Sequence, residues 1–311
     1  MRARPWVAWL VGSIVLAIPA GTVLAGTVLA VTVLAVTPAS AVTVSHSAAA
    51  RSGPAAIAAA AVQSAPLVTD ITAKAHSKQG LAAPPMTAAM TLANQRKQAQ
   101  VRRELRGLAR ATGPDMACAT AACRAGLPAA RNLAGSQQPQ QRDYFCGPAT
   151  ASEMLAQLGV RLSQTAAASE LGTTAGGTDW SDASGYPMPR VLNSNQKKNQ
   201  YVAVALPWTP SAKQISTFES DLVADVNHNG APLAGNAYEV AGGPHLVGNP
   251  VNQTIMHWID IRGYQKYGAV TDYEDSVHDA TSIGWGLNVP AYSALPTSTM
   301  VDILGARGYD W

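Results

Sequence analysis

Tyr144-Phe145-Cys146-Gly147-Pro148-Ala149 sets a single thiol just ahead of a helix-forming run, Thr150 to Leu158, that Gly159 closes. A cysteine at a helix N-terminus meets unpaired backbone N–H groups and the positive end of the helix dipole, which favour thiolate over thiol. Thiolate is the nucleophile, so the chemistry on offer is covalent attack on a carbonyl carbon. Such chemistry needs a base, an acid to orient it and a donor for the oxyanion. Six histidines are available: His46, His76, His228, His245, His257 and His278. His257 stands apart because it opens an alternating run in which His257, Ile259 and Ile261 share one face, with Trp258, Asp260 and Arg262 on the other. A half-buried imidazole of that kind needs a partner. A hairpin turning on Gln265-Lys266-Tyr267 and symmetric about Lys266 supplies one, since it pairs His257 with Asp275 across the strands. The same register sets Asp272 opposite Asp260 and Glu274 opposite Trp258. Gln140, six residues before Cys146 in a polar loop, is the candidate amide to share the oxyanion with the Cys146 backbone N–H.

The remaining cysteines support this choice of nucleophile. The chain has three, Cys118, Cys123 and Cys146. Its start reads as an export signal over residues 1–41: Arg2 and Arg4, an apolar run from Trp6 to Val36, then Ala39-Ser40-Ala41 as a small-x-small cleavage site. The run is long enough to anchor in a membrane if it is retained. In an oxidising exterior Cys118 and Cys123 can pair locally, which leaves Cys146 as the odd, reactive thiol.

The elements that must hold these groups lie in the last part of the chain. Of 18 aromatic residues, 16 fall between Tyr144 and Trp311 and none between Trp9 and Tyr144. Residues 42–135, rich in Ala, Ser, Pro and Gln, therefore read as a spacer or pro-segment. It carries one basic helix, about Thr87 to Ala111, with Val101, Leu105 and Leu108 on one stripe. Its arginines read as a solvated face, or as a surface for anionic envelope polymers or a cover for an active-site groove. Residues 136–311 suit one globular domain. Within it, Ser163 caps a helix that Gly172 stops, Pro187 opens a short one, and Ser211 caps a stronger one with Ile215, Phe218, Leu222 and Val226 on one stripe. Strands are expected at Tyr201–Leu206, Pro232–Val240, Met256–Gly263 and Ala269–Asp275. Helices first and antiparallel sheet later is an α+β order, not that of a doubly wound sheet. A formal net charge of +3 gives no case for nucleic-acid binding, and no Cys/His cluster has metal-ligand spacing; no cofactor is expected.

Gln140-x5-Cys146-Gly147-Pro148-Ala149, His257 opening a strand and Asp275 after a hairpin together resemble the bacteriocin-processing-peptidase-like (double-glycine-peptidase-like) branch of the papain superfamily. The likeness is greatest to its stand-alone, secreted actinobacterial members, and Gly242-Gly243-Pro244-His245-Leu246 and His257–Tyr264 share it. Phe145 stands where transporter-fused members carry an acid. The resemblance spans about Gln140 to Tyr309. It implies a papain-like fold with the nucleophile helix packed on an antiparallel sheet, Cys146 as nucleophile, His257 as base, Asp275 as its orienter and Gln140 as oxyanion donor. It implies a secreted peptidase acting on peptide or protein. Cell-wall amidase or acyl transfer by the same groups, and peptide binding without catalysis, are the alternatives.

Overall fold

The computed structural model describes residues 83–112 and 120–311, all within one compact unit, Val62–Trp311. The expected signal segment and Cys118 lie outside the described residues. Among the described residues, no helix is long and apolar enough to cross a membrane.

Seven strands form one antiparallel sheet: β1 (Arg131–Asn132), β2 (Ala203–Ala205), β3 (Leu233–Glu239), β4 (Ile255–Gln265), β5 (Val270–Glu274), β6 (Tyr292–Pro296) and β7 (Gly308–Asp310). The order is β2-β7-β3-β4-β5-β6, with β1 added to the far half of β4. One side of the sheet is covered by helix α3 (Cys146–Gln157), whose Ala151, Met154 and Leu155 pack with Ala203, Ala234 and Trp258. On the other side Phe218 and Leu222 of α6 (Ala212–Ala224) pack with Ile259, Ile261 and Tyr273. The mixed helix and antiparallel sheet is the expected α+β class.

Local chemistry explains the helices. Ser163 caps α4 (Gln164–Leu171) through the Ala166 N–H, and Gly172 ends it in the left-handed conformation at φ 69°. Ser211 and Gln214 form a capping box on α6, which continues as a π-helical turn, Asp225–Asn229. α5 (Pro187–Asn195) starts on a proline, whose missing N–H costs nothing there.

Two expectations need correction. The hairpin turn occupies Lys266–Ala269, not Gln265–Tyr267, because Lys266 (φ 50°) and Tyr267 (φ 58°) both adopt the left-handed region and Gly268 follows at φ 103°. Gln265 consequently pairs with Val270, and Asp272 pairs with Gly263 rather than Asp260. That odd shift would have turned the outer residues to the wrong face. A bulge at Arg262 reverses the parity, so that Ile261 pairs with Tyr273 and Glu274 lies opposite Asp260, not Trp258. The bulge falls where the neighbour of β4 changes from β3 to β1, and Arg262 holds the incoming chain there: its Nη1 donates to the Leu133 carbonyl at 2.6 Å.

The basic helix keeps its arginines on a solvated face and buries part of its apolar stripe. α1 (Ala88–Thr112) lays Val101 and Leu105 into the core, while Arg102, Arg103 and Arg106 stay exposed. Lys97 donates to Asp225 at 2.8 Å and sits 4.3 Å from the centre of the Trp311 ring, and Trp311 Nε1 donates to Asn94 Oδ1. Residues expected in a spacer thus pack on the domain, beside β2, α6 and Trp311. Helix α2 (Ala121–Arg124) follows, with Cys123 in a disulfide.

Candidate active site

Cys146 is the first residue of α3, and Phe145 before it offers no side-chain cap. Pro148 has no N–H but sits in the first turn, where none is needed. The helix thus presents uncapped backbone donors beside the thiol. Gly147 is required by the loop above it: a Cβ there would lie 2.6 Å from the Thr178 Cβ. That loop is fixed in turn by Trp258, whose Nε1 donates to the Thr178 carbonyl at 3.1 Å and whose ring stacks on Trp180 at 6.0 Å. The backbone next to the imidazole and the loop over the thiol are therefore one assembly.

His257 lies near the start of β4 and is 3% exposed. Its Nε2 is 2.8 Å from Asp275 Oδ1, which leaves Nδ1 as the nitrogen available to the Cys146 thiol. Asp275 follows the last residue of β5, where its Oδ1 also accepts the Val277 N–H and its backbone N–H bonds the Ala291 carbonyl. Asp275 Oδ2 is buried without a partner. Burial alone would push the His257 imidazole down, but the Asp275 carboxylate and the thiol hold it well above its ordinary value. Burial would push the Cys146 thiol up. The hydrogen bond and charge of His257, with the Trp258 and Gly147 backbone N–H groups, outweigh it, so the thiol ends below its ordinary value. Both shifts favour a thiolate–imidazolium pair. Cys146 is free of any disulfide.

Gln140 is buried, but its amide is engaged within its own loop. Nε2 donates to the carbonyls of Arg142 at 2.8 Å and Asp143 at 3.0 Å, using both its hydrogens, and Ser276 Oγ lies 3.4 Å from Oε1. In this conformation Gln140 ties the nucleophile loop to the end of β5. Its backbone N–H does the same, donating to the Ser276 carbonyl at 2.7 Å.

Sequence reading missed several groups that shape the site. Thr178 and Trp180 come from a glycine-rich loop whose path carries no periodic signal. Glu239 ends β3, accepts from the Leu246 backbone and from Asn249, and acts on His257 through its charge. Among the described residues, the group with metal-ligand spacing is Glu153, Asp260 and Glu274. It is served by donors, Gln157 Nε2 and Ser136 Oγ, rather than arranged about an open centre.

A buried thiol beside an imidazole that is itself bonded to a carboxylate is the arrangement a cysteine hydrolase uses. Residues 133–285 match the model of the Peptidase_C39 like family. The match contains Gln140, Cys146, His257 and Asp275, and it supports a C39-type cysteine peptidase assignment for this part of the chain. No curated protein matches the chain. The C39-like region ends before β6, α7 (Thr297–Ile303) and β7, so part of the observed sheet lies beyond it.

Proposed function

We propose that the protein is a secreted cysteine peptidase with Cys146, His257 and Asp275 as its catalytic triad. The observation that carries this reading is the position of His257, bonded through Nε2 to Asp275 at 2.8 Å and acting on the Cys146 thiol, which it holds below its ordinary value. In the first half-reaction the Cys146 sulfur forms a bond to the peptide carbonyl carbon, and the oxygen takes the charge. The Cys146 N–H at the uncapped start of α3 donates to that oxygen. Gln140 joins it only by releasing a loop carbonyl. His257 Nδ1 gives its proton to the leaving amine as the C–N bond breaks, leaving a thioester on Cys146. Water then attacks the thioester carbon, losing a proton to His257, and the sulfur departs as thiolate. Asp275 holds the imidazole in the tautomer both steps need. Export rests on the Arg2/Arg4-led apolar segment and on the disulfide at Cys123, a bond that persists in oxidising surroundings.

Incubation of the secreted protein with a peptide library, read by mass spectrometry, tests the reading. Cleavage that vanishes in Cys146→Ala and after thiol alkylation supports it. Cleavage that survives Cys146→Ala would refute the nucleophile, and a chain that binds peptides without cutting them would point to the binding alternative.

A further inference from the structure

Behind the thiol and imidazole lies a second group of buried acids, and its placement follows the site residues. Glu153 is on α3, two helical turns after Cys146. Asp260 is on β4, three residues after His257, and Glu274 directly precedes Asp275. Each of the three segments that supply the site residues therefore also contributes one of these acids. All three are wholly buried, with one oxygen from each within 4.8 Å of the others.

We propose that Glu153, Asp260 and Glu274, with Gln157 and Ser136, are positioning residues that fasten α3, β4 and the end of β5 together, and that the fastening requires the three carboxyls to retain at least one proton. Gln157 Nε2 reaches Asp260 Oδ2 at 2.7 Å and Glu274 Oε1 at 2.9 Å, bridging helix to both strands. Ser136 donates from Oγ to Glu274 Oε1 at 2.7 Å and from its N–H to Oε2 at 3.0 Å, and the Gln138 N–H donates to Glu153 Oε1 at 2.8 Å. Glu153 Oε2 and Asp260 Oδ1 remain buried without a partner. Three ionised carboxylates could not share this space. Arg262, whose charge acts on Asp260, donates through Nη1 to the Leu133 carbonyl and lies 4.7 Å from the centre of the Tyr292 ring.

The electrostatics agree. Burial, and then the charge of Glu274, push both Glu153 and Asp260 well above the ordinary carboxylate range. His257 and Asp275 act on Glu153 with opposite signs, Arg262 opposes the shift at Asp260, and the charge of Asp260 also acts on the buried Tyr201 hydroxyl. Because the folded-state values are raised, the stabilisation is complete at low pH and is lost as pH rises through them. The cluster thereby makes the site lose support as pH rises, separately from the titration of Cys146 and His257.

This inference rests on the proposed role of Cys146 only for its consequence, and its test needs no substrate. Thermal unfolding from pH 6 to 10 and iodoacetamide labelling of Cys146 at pH 6 are compared in the full chain and in Glu153→Gln, Asp260→Asn and Glu153→Ala. The neutral amides mimic the protonated acids. They should keep the labelling rate within about two-fold and flatten the alkaline loss of the unfolding midpoint. Glu153→Ala should lower labelling of the folded protein by about ten-fold, which a merely structural role would not do. The proposal fails if the amide variants are as damaged as Glu153→Ala, or if all variants share the wild-type pH dependence. It also fails if millimolar calcium or manganese raises the wild-type midpoint and a chelator lowers it, the mark of a cation site. A wild-type thiol that is unreactive at pH 6 would count against the peptidase reading instead, while the unfolding curves would still decide the fate of the cluster.

Discussion

Asp275 bonds His257 from a diagonal position in the sheet, not from directly across it. The register at that end pairs Glu274 with Asp260, which in continuation sets Asp275 beside Ile259, yet Asp275 Oδ1 lies 2.8 Å from His257 Nε2. Diagonal neighbours on one face are within reach of long or aromatic side chains. The chain leaves the strand at Asp275, and its N–H bond to Ala291 fixes the turn that aims the carboxylate.

That contact predicts a separation of activity from stability. Asp275→Asn should lower kcat/KM by about 100-fold or more, because the amide no longer selects the needed tautomer. Its unfolding midpoint should change little, since an Asn oxygen still accepts the Val277 N–H. Asp272→Asn is the control. Asp272 accepts from Gln265 near the turn, and its loss should leave kcat/KM within about two-fold.

Labelling of Cys146 should be fast at pH 6, where an ordinary thiol is inert. His257→Ala should raise the thiol titration, because burial is then opposed only by the Trp258 and Gly147 backbone N–H groups. The labelling rate at pH 6 should fall by about 100-fold or more. Peptide mapping after iodoacetamide gives both results. Equal labelling of Cys123 would overturn the assignment of Cys146 as the reactive thiol.

Asp221 should make the domain less stable as pH rises from 5 to 8. Burial raises its carboxyl to about 8, while the Tyr309 hydroxyl and Gln98 amide donate to it. A raised folded-state value gives stability that is complete below the ordinary carboxylate range and is lost as pH rises through about 8. Within that window each pH unit removes up to about 1.4 kcal/mol. Denaturant melts at several pH values should show the slope, and Asp221→Asn should flatten it.

Helix α1 should resist its own removal. Lys97→Met leaves Asp225 buried with its ion-pair partner gone, which should cost about 3 kcal/mol. Limited trypsin digestion should then release α1 from the variant but not from the wild type. Equal resistance of both would mean that Val101 and Leu105 hold the helix without the ion pair.

The sequence made the helix ends legible because Ser163, Ser211 and Gly172 each act on their immediate neighbours. Cys146 was legible for the same reason, as a thiol at a helix start. The partnership of His257 with Asp275 could be read, but not its register. Left-handed Lys266 and Tyr267 lengthened the turn, the bulge at Arg262 restored the face, and neither residue type announces that behaviour. The stripe of Val101 and Leu105 showed that α1 has an apolar face, whereas what covers it is set by β2, α6 and Trp311, far along the chain. Glu153, Asp260 and Glu274 looked like unrelated charges because nothing local reveals that three separate elements bring them together.

The strand order carries a consequence for the making of the protein. Among the described strands β2 pairs with β7 alone, and β7 separates β2 from β3 although it comes about a hundred residues after β2. During synthesis, α1 to β5 leave the ribosome while the position between β2 and β3 is still open. The surface on which Lys97 and Asn94 rest is likewise unfinished until Trp311 emerges. A sheet closed by a strand this late in the order cannot complete its pairing until that strand has emerged. This is a form of timing: the sheet that carries His257 is complete only once β7 has been translated.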